Sequence, residues 1–272
     1  MSILADFHIH SSFSGDSHTP MESMIQEGIR LGLKTMCFTE HLDLDFPYKD
    51  VDFSLDIPTY RSTLLSLRER YQDTVELLFG IELGLQPHLS QPLQEILEAY
   101  PFDFVIGSTH LIHRFDPYYP EYFQQYSDSE GFRIYFEEVL KNLRSTPRCD
   151  TLGHLDYIVR YSPNKSQNYR WEDYQDIIDE ILLFLINSGI SLEVNTAGLK
   201  YGLKQPNPTL AILDRYRKLG GQSITIGSDA HVPAHLAYQF SELKQMLTEC
   251  GFSHYTIYRN RQPFSVSLSS MP

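Results

Sequence analysis

The sequence predicts an α/β protein in which about seven parallel strands, each followed by a helix, close into a TIM-like (β/α)7 barrel. Three observations predict it. Seven short apolar segments, near residues 3–9, 35–40, 76–83, 103–109, 150–155, 191–196 and 223–229, have the character of strands covered on both faces. Helical patterns alternate with them, and no Gly/Ser-rich linker breaks the series, so one domain over residues 1–272 is the economical reading. Histidines and carboxylates stand at the carboxyl ends of strands one to five and seven. An open sheet spreads its strand ends by about 4.8 Å per strand, whereas a closed barrel sets them around one ring.

Taken in order, strand one ends in His8-Ile9-His10. The helix after it has Thr19 as N-cap, Pro20 at its first position and Glu22 completing a capping box. That helix stops at Gly32, and later ones stop at Gly189, Gly220 and Gly251, as left-handed C-caps do. Strand two ends at His41, and Pro58 to Tyr71 is helical. Strand three carries Glu82, and Gln91 to Tyr100 is a short helix. Strand four ends at His110, before a helix from Ser129 to Arg144. Strand five ends at His154, before a helix from Trp171 to Ser188. Helices from Thr209 to Leu219 and from Ala234 to Cys250 flank strand seven, which leads into Asp229-Ala230-His231. Two connections, Leu42 to Ile57 and Leu111 to Ser127, are long for βα loops. Both leave from ligand-bearing strand ends, so they are expected to wall or cover the site; an ordered surface loop without function is the bland alternative.

Composition narrows the classes. A formal charge of −13 with no dense Lys/Arg run excludes a long polyanion such as nucleic acid as partner. No apolar run of about 18 residues exists, so no membrane span is expected. The start, Met1-Ser2-Ile3-Leu4-Ala5-Asp6, lacks the basic and long apolar regions of a signal peptide. Three widely spaced cysteines, Cys37, Cys149 and Cys250, suit a reducing cytoplasm better than a disulfide framework. No segment reads as an oligomer interface.

His8 and His10 alternate along an extended strand, so both imidazoles point to one side. Asp229 and His231 repeat that spacing, and in a closed barrel the last strand adjoins the first. Glu82 lies inside an apolar strand, where a carboxylate is costly unless paired or metal-bound. Its two oxygens can bridge two cations, and His110 and His154 supply nitrogens for the second. Asp16, close in sequence to His10, makes a third site with His41 and His231. A lone buried histidine is more often hydrogen-bonded in a core than metal-bound; nine such positions at strand ends are not independent accidents. The set reads as a metallohydrolase centre. Two or three divalent ions outweigh the charges of Asp16, Glu82 and Asp229, so the cavity is locally cationic and suits a phosphate group. His18, His88, His113, His235 and His254 fall in loops or near helix ends, with surface placement as the default. No nucleophile elbow, Walker loop or dinucleotide fingerprint appears. Gly153 and Gly227 read as room for close backbone approach within the barrel.

With His8-x-His10, Asp16, Thr39-Glu40-His41, Glu82, His110, His154 and Ser228-Asp229-Ala230-His231 in this order, the chain resembles the PHP (polymerase and histidinol phosphatase) family of metal-dependent phosphoesterases. Phe13-Ser14-Gly15-Asp16-Ser17, Gly80-Ile81-Glu82-Leu83-Gly84, Asp116-Pro117-Tyr118-Tyr119 and Gly153-His154-Leu155-Asp156-Tyr157 are most similar to its single-domain histidinol-phosphate phosphatase branch. The resemblance implies a distorted seven-stranded barrel with two or three ions of iron, zinc or manganese. It implies that His8, His10, Glu82 and Asp229 hold the first metal, Glu82, His110 and His154 the second, and Asp16, His41 and His231 the third. Many relatives with other substrates have His where Asp16 stands, which makes this third site harder. The implied reaction is hydrolysis of L-histidinol phosphate by a metal-activated hydroxide. Asp16, Glu82 and His231 are the catalytic candidates, and the general acid stays open among a metal-held water, Asp16 and a nearby His.

Arg160 is the first candidate for a bidentate phosphate clamp, against an exposed loop arginine as the bland alternative. Arg114 and Lys200 stand behind it, and Tyr118 and Tyr119 are expected to wall the imidazole end of a small phosphorylated substrate. Three alternatives remain. One is a PHP phosphatase for a nucleotide or sugar phosphate. Another is an amidohydrolase, which usually has eight strands and often a carbamylated lysine that no strand end here provides. The last is a non-catalytic PHP module, a kind that tends to lose ligands.

Overall fold

The structure of the chain, a computed structural model, describes residues 5–270. Ile3 and Leu4, the expected start of the first strand, lie outside the described residues. In chain order the barrel strands are β1 (Ala5–Ile9), β2 (Thr35–Phe38), β3 (His41–Leu42), β4 (Glu76–Gly84), β5 (Phe104–Ser108), β6 (Thr151–Leu152), β7 (Ser191–Asn195) and β8 (Ile224–Gly227). They pair in the order β1-β2-β4-β5-β6-β7-β8, with β3 also on β4, and every pairing is parallel. Closure comes from the residues just past β8: His10 N donates to Ala230 O at 2.9 Å and Ala230 N to His8 O at 3.3 Å. The two ligand motifs are thus themselves the seam of the barrel. The expected α/β barrel is the observed fold.

Nine helices surround it among the described residues: α1 (Met21–Leu31), α2 (Ile57–Tyr71), α3 (Ser90–Ala99), α4 (Glu121–Gln125), α5 (Asp128–Ser145), α6 (Gln175–Ser188), α7 (Ala197–Lys200), α8 (Leu210–Lys218) and α9 (Phe240–Glu249). Their apolar faces pack on the strands; α1 buries Met24, Ile25 and Gly28, and α6 buries Ile178, Ile181, Leu182 and Leu185. Gly32 and Gly189 end these two helices in the left-handed conformation. None of the described helices is long and apolar enough to cross a membrane.

Several local expectations are corrected. Thr19 does not cap α1; its hydroxyl donates to His231 O at 3.0 Å, tying the helix entry to the site, and Pro20 takes the N-cap position without a side-chain bond. The strand expected over 35–40 breaks after Phe38, because Thr39 N turns to Ile9 O, and it resumes as β3 with His41 in register with Glu82. The strand expected over 150–155 pairs only at Thr151 and Leu152. Helix α5 starts earlier than Ser129, set by a capping box between Ser127 and Glu130. Trp171–Tyr174 is a 3-10 turn before α6. The helix expected from Ala234 begins at Phe240, after a 3-10 turn at Pro233–His235 and a left-handed Gln239.

An antiparallel hairpin that the sequence analysis does not predict, β9 (His254–Arg259) and β10 (Gln262–Ser267), follows the barrel. It is pinned beneath the amino-terminal ends of the strands. Tyr258 OH donates to Asp150 O at 3.1 Å, and Arg259 forms a two-point ion pair with Glu76. With that end covered, the carboxyl ends of the strands carry the site.

Close approach around the seam leaves no room for side chains. A Cβ on Gly227 would collide with His8 Cβ and with Glu193 Oε1. Gly227→Ala is expected to cost about 1–3 kcal/mol, read from urea unfolding of the two proteins. A loss too small to measure would mean that this approach is looser than the geometry states.

Candidate metal centre

Glu82 sits near the carboxyl end of β4, the longest strand among the described residues, fully buried, and five imidazoles converge on it. Its Oε2 lies 3.0 Å from His8 Nε2, 3.1 Å from His41 Nδ1 and 3.4 Å from His10 Nε2. Its Oε1 lies 2.9 Å from His154 Nε2 and 3.4 Å from His110 Nε2, and accepts a hydrogen bond from Ser108 Oγ at 2.6 Å. One carboxylate therefore faces two separate sets of nitrogens. Asp229 Oδ1 stands 3.7 Å from His10 Nε2 and 3.8 Å from His8 Nε2. Asp16 Oδ2 is 3.1 Å from His231 Nε2 and 3.7 Å from His41 Nε2. All nine expected ligand residues are brought to one place.

Ligand atoms converge within 4.8 Å in the groups His8–His10–Glu82, Glu82–His110–His154, His8–His154–Asp229 and His10–His41–His231, among others. The second of these is the set expected for the second metal; the first holds three of the four residues expected for the first metal, and Asp229 groups with His8 and His154 instead. At the third, His10 joins His41 and His231, while Asp16 approaches from a loop with its side chain about a third exposed (36%). Divalent ions fit these residues. His10 Nε2, His41 Nδ1 and His231 Nε2 are buried without a hydrogen-bond partner and face carboxylates, which is the arrangement a cation completes.

The electrostatics follow from crowding charge where water is excluded. Burial opposes ionisation of Glu82, but His8 and His41 hold its carboxyl well below the usual range. Burial likewise opposes charge on His8, yet Glu193 and Glu82 raise it well above the ordinary imidazole value. His10, pressed by burial and by His41 and His231, is driven well below that value. Burial disfavours the Asp16 anion, but His41 and His231 bring its carboxyl down to about 2.

Three of these imidazoles, His8, His110 and His10, are held from behind by residues to which the sequence analysis gave no role. His8 Nδ1 meets Glu193 Oε1 at 2.5 Å, and Glu193 Oε2 accepts from His154 N at 2.7 Å. His110 Nδ1 meets Asp43 Oδ1 at 2.8 Å. His10 Nδ1 meets Ser14 Oγ at 3.0 Å, and Ser14 donates on to Glu40 at 2.6 Å. Glu40 also takes Ser11 N at 2.9 Å, so it anchors the loop that carries Asp16. Such partners fix the tautomer and orientation of a ligand imidazole. Glu193 was findable, since it is a carboxylate within an apolar strand, as Glu82 is. Asp43 carries no such signal.

The centre opens into a cavity of about 250 Å3 roofed by the two long loops, as their departure points predicted. Tyr48 of the first loop stacks on Tyr119 of the second at 3.8 Å, and Tyr119 OH donates to Asp50 Oδ2 at 2.7 Å. Tyr118 and Tyr119 both line the cavity. Arg160 lines it too, but it is buried, not an exposed loop arginine. Its Nη1 donates to Asp229 Oδ2 at 2.8 Å, Nη2 to Asn195 Oδ1 at 2.9 Å and Nε to Asn207 Oδ1 at 2.8 Å. Lys200 stands behind the wall, with Nζ 3.4 Å from Asp229 O and 3.5 Å from His235 Nδ1. Arg114 is exposed and does not line the cavity. His113 is half-exposed near Glu138.

Comparison with known proteins places this geometry. Over about nine tenths of both chains (91% each), the sequence is 32% identical to the histidinol-phosphatase of Lactococcus lactis subsp. lactis. It is 21% identical to the histidinol-phosphatase of Saccharomyces cerevisiae over 92% of this chain and 91% of that one. The fold matches the crystal structure of a Lactococcus lactis histidinol phosphate phosphatase, solved with zinc, L-histidinol and phosphate. The match has a TM-score of 0.89 at 29% identity and covers 96% of this chain and 98% of that one. Residues 6–197 match the model of the PHP domain. The chain therefore belongs to the PHP-domain family.

Proposed function

We propose that this protein is a metal-dependent phosphomonoesterase that hydrolyses L-histidinol phosphate to L-histidinol and phosphate, a step of histidine biosynthesis. One observation carries the reading: the carboxylate–imidazole centre around Glu82 lies in a fold shared with a protein crystallised with zinc, L-histidinol and phosphate. One domain carries the whole site, since its residues come from β1 through the segment after β8. Cys37, Cys149 and Cys250 are free and buried, which suits a reducing, cytoplasmic setting.

His8, His10, Glu82 and Asp229 would hold one ion, Glu82, His110 and His154 a second, and His41, His231 and Asp16, beside His10, a third. Iron, zinc and manganese all accept such donors. Bound there, divalent ions polarise phosphoryl oxygens and lower the pKa of water. The chain's own residues do the rest. Glu82 holds both halves of the centre at one spacing. Arg160 fixes Asp229 through its second oxygen and lines the cavity, so that its charge lies beside the place a phosphate would take. His41 and His231 bring the Asp16 carboxyl down to about 2 against burial, and the proton for the leaving oxygen comes from water, Asp16 or a nearby His. Tyr118 and Tyr119 wall the organic end of the substrate, and Arg114 and Lys200, off the cavity lining, make no contact with it.

Phosphate release from histidinol phosphate, measured beside sugar phosphates, nucleotides and p-nitrophenyl phosphate with metals counted on the same sample, is the direct test. Histidinol phosphate is expected to lead by orders of magnitude in kcat/KM, with activity lost to a chelator and regained with added metal. Another ester in the lead would overturn the substrate while leaving the metal centre standing. Arg160→Ala is expected to lower kcat/KM at least about tenfold and, by orphaning the buried Asp229 oxygen, stability by about 3–5 kcal/mol. A smaller kinetic loss removes Arg160 from the working site. Glu193→Gln should weaken metal binding by about 10–100-fold in competition with a chromophoric chelator; unaltered affinity would deny it the orienting role.

A further inference from the structure

Asp116 is a buried acid on the cavity wall, 6% exposed, that the reading above does not use. Its Oδ1 accepts from Tyr118 N at 2.8 Å and from Tyr157 OH at 3.4 Å. Its Oδ2 takes no hydrogen bond from a described residue, and no described Lys, Arg or His forms an ion pair with it. Among the described residues Arg160 is the one Lys or Arg lining the cavity, and its donors are directed to Asp229, Asn195 and Asn207. Other acids of this wall are engaged: Asp50 by Tyr119 OH and Asp43 by His110. Burial pushes the Asp116 carboxyl up to about 6, against the opposing pull of the Tyr118 N–H and of His110.

The place of Asp116 relative to the metal centre sets what it can meet. The Tyr157 ring lies 4.9 Å from that of His154 and 5.5 Å from that of His110, and its hydroxyl reaches Asp116. Asp116 is therefore one tyrosine ring beyond the metal-facing histidines. A phosphoester with its phosphate at the centre would direct its alcohol toward this acid. Around it stand aromatic faces, Tyr118 packed edge-on against Tyr161 at 5.5 Å, and such faces attract cations.

We infer that Asp116 determines specificity by receiving a protonated nitrogen of the leaving alcohol, a role that rests on the phosphomonoesterase reading above. An ammonium or imidazolium at Oδ2 supplies the partner that the buried carboxylate lacks within the chain. A neutral alcohol leaves it desolvated and unpaired, so the acid selects against neutral esters as well as for cationic ones.

The test compares wild type with Asp116→Asn on four esters, with metals counted in each sample. They are L-histidinol phosphate, its deamino analogue, L-phenylalaninol phosphate and 3-phenylpropyl phosphate. The variant is expected to lose at least about thirtyfold more kcat/KM on L-histidinol phosphate than on 3-phenylpropyl phosphate, the scale of a broken buried charge pair. An extra loss that follows phenylalaninol phosphate assigns the amine, and one that follows the deamino analogue assigns the imidazole; both support the role. An equal loss on all four esters overturns it. If the variant does not fold, inhibition of wild type decides: L-histidinol must bind better than 3-phenylpropanol, and equal inhibition overturns the inference. A wild type that leads on some other phosphoester overturns the substrate reading instead, and the cationic-to-neutral ratio still decides Asp116.

Discussion

A fully buried carboxylate near the carboxyl end of a barrel strand constrains almost everything else in this protein. Glu82 is fully buried on β4, and an unpaired charge there would cost several kcal/mol. Five imidazoles answer it, from β1, from β3 and from the ends of β5 and β6. Imidazoles so placed need fixed tautomers, which brings in Glu193, Asp43 and the Ser14–Glu40 pair behind them. The seam of the barrel obeys the same demand, since His8, His10 and Ala230 make the closing hydrogen bonds. Fold and site are one construction, and the hairpin at the opposite end leaves the carboxyl ends free for chemistry.

The cavity has two chemical halves. At the centre, donors suited to hard or borderline cations gather around Glu82 and Asp229. Beyond Tyr157, aromatic rings and an acid without a cationic partner take over. The phosphomonoester of a cationic alcohol proposed as substrate would meet both halves, while a bare sugar phosphate would leave the acid of the second half unpaired. The overall charge of −13 says little of this, because it is spread over the solvated surface while the site is governed by a few buried groups.

Much of the site was legible because its residues punctuate strands. His8, His10, His41, Glu82, His110, His154, Asp229 and His231 stand out as polar residues ending or interrupting short apolar runs, and the period of two places His8 beside His10. Glu193 obeys the same rule, but its strand carries no histidine that would mark a ligand-bearing end. Thr19 illustrates the opposite error: a good local cap signal lost to a tertiary partner, the carbonyl of His231. Helix entries near Pro233 and Trp171 shifted for a related reason, since 3-10 turns satisfy the same apolar spacing over a few residues.

The amino-acid sequence by itself determined the α/β alternation, the barrel and the residue types at the strand ends. These follow from short-range periodicity and from the cost of charge in apolar segments, both of which are local. Tertiary structure alone decided which oxygen of Glu82 faces which imidazole. It also joined His10 to the third set of nitrogens, and it gave Arg160, expected as a phosphate clamp, the place of a buried prop for Asp229. Asp116 likewise gained its place on the cavity wall only when the loop over 111–127 folded onto Tyr157. Each of these depends on distances between residues tens to hundreds of positions apart, which no local pattern encodes.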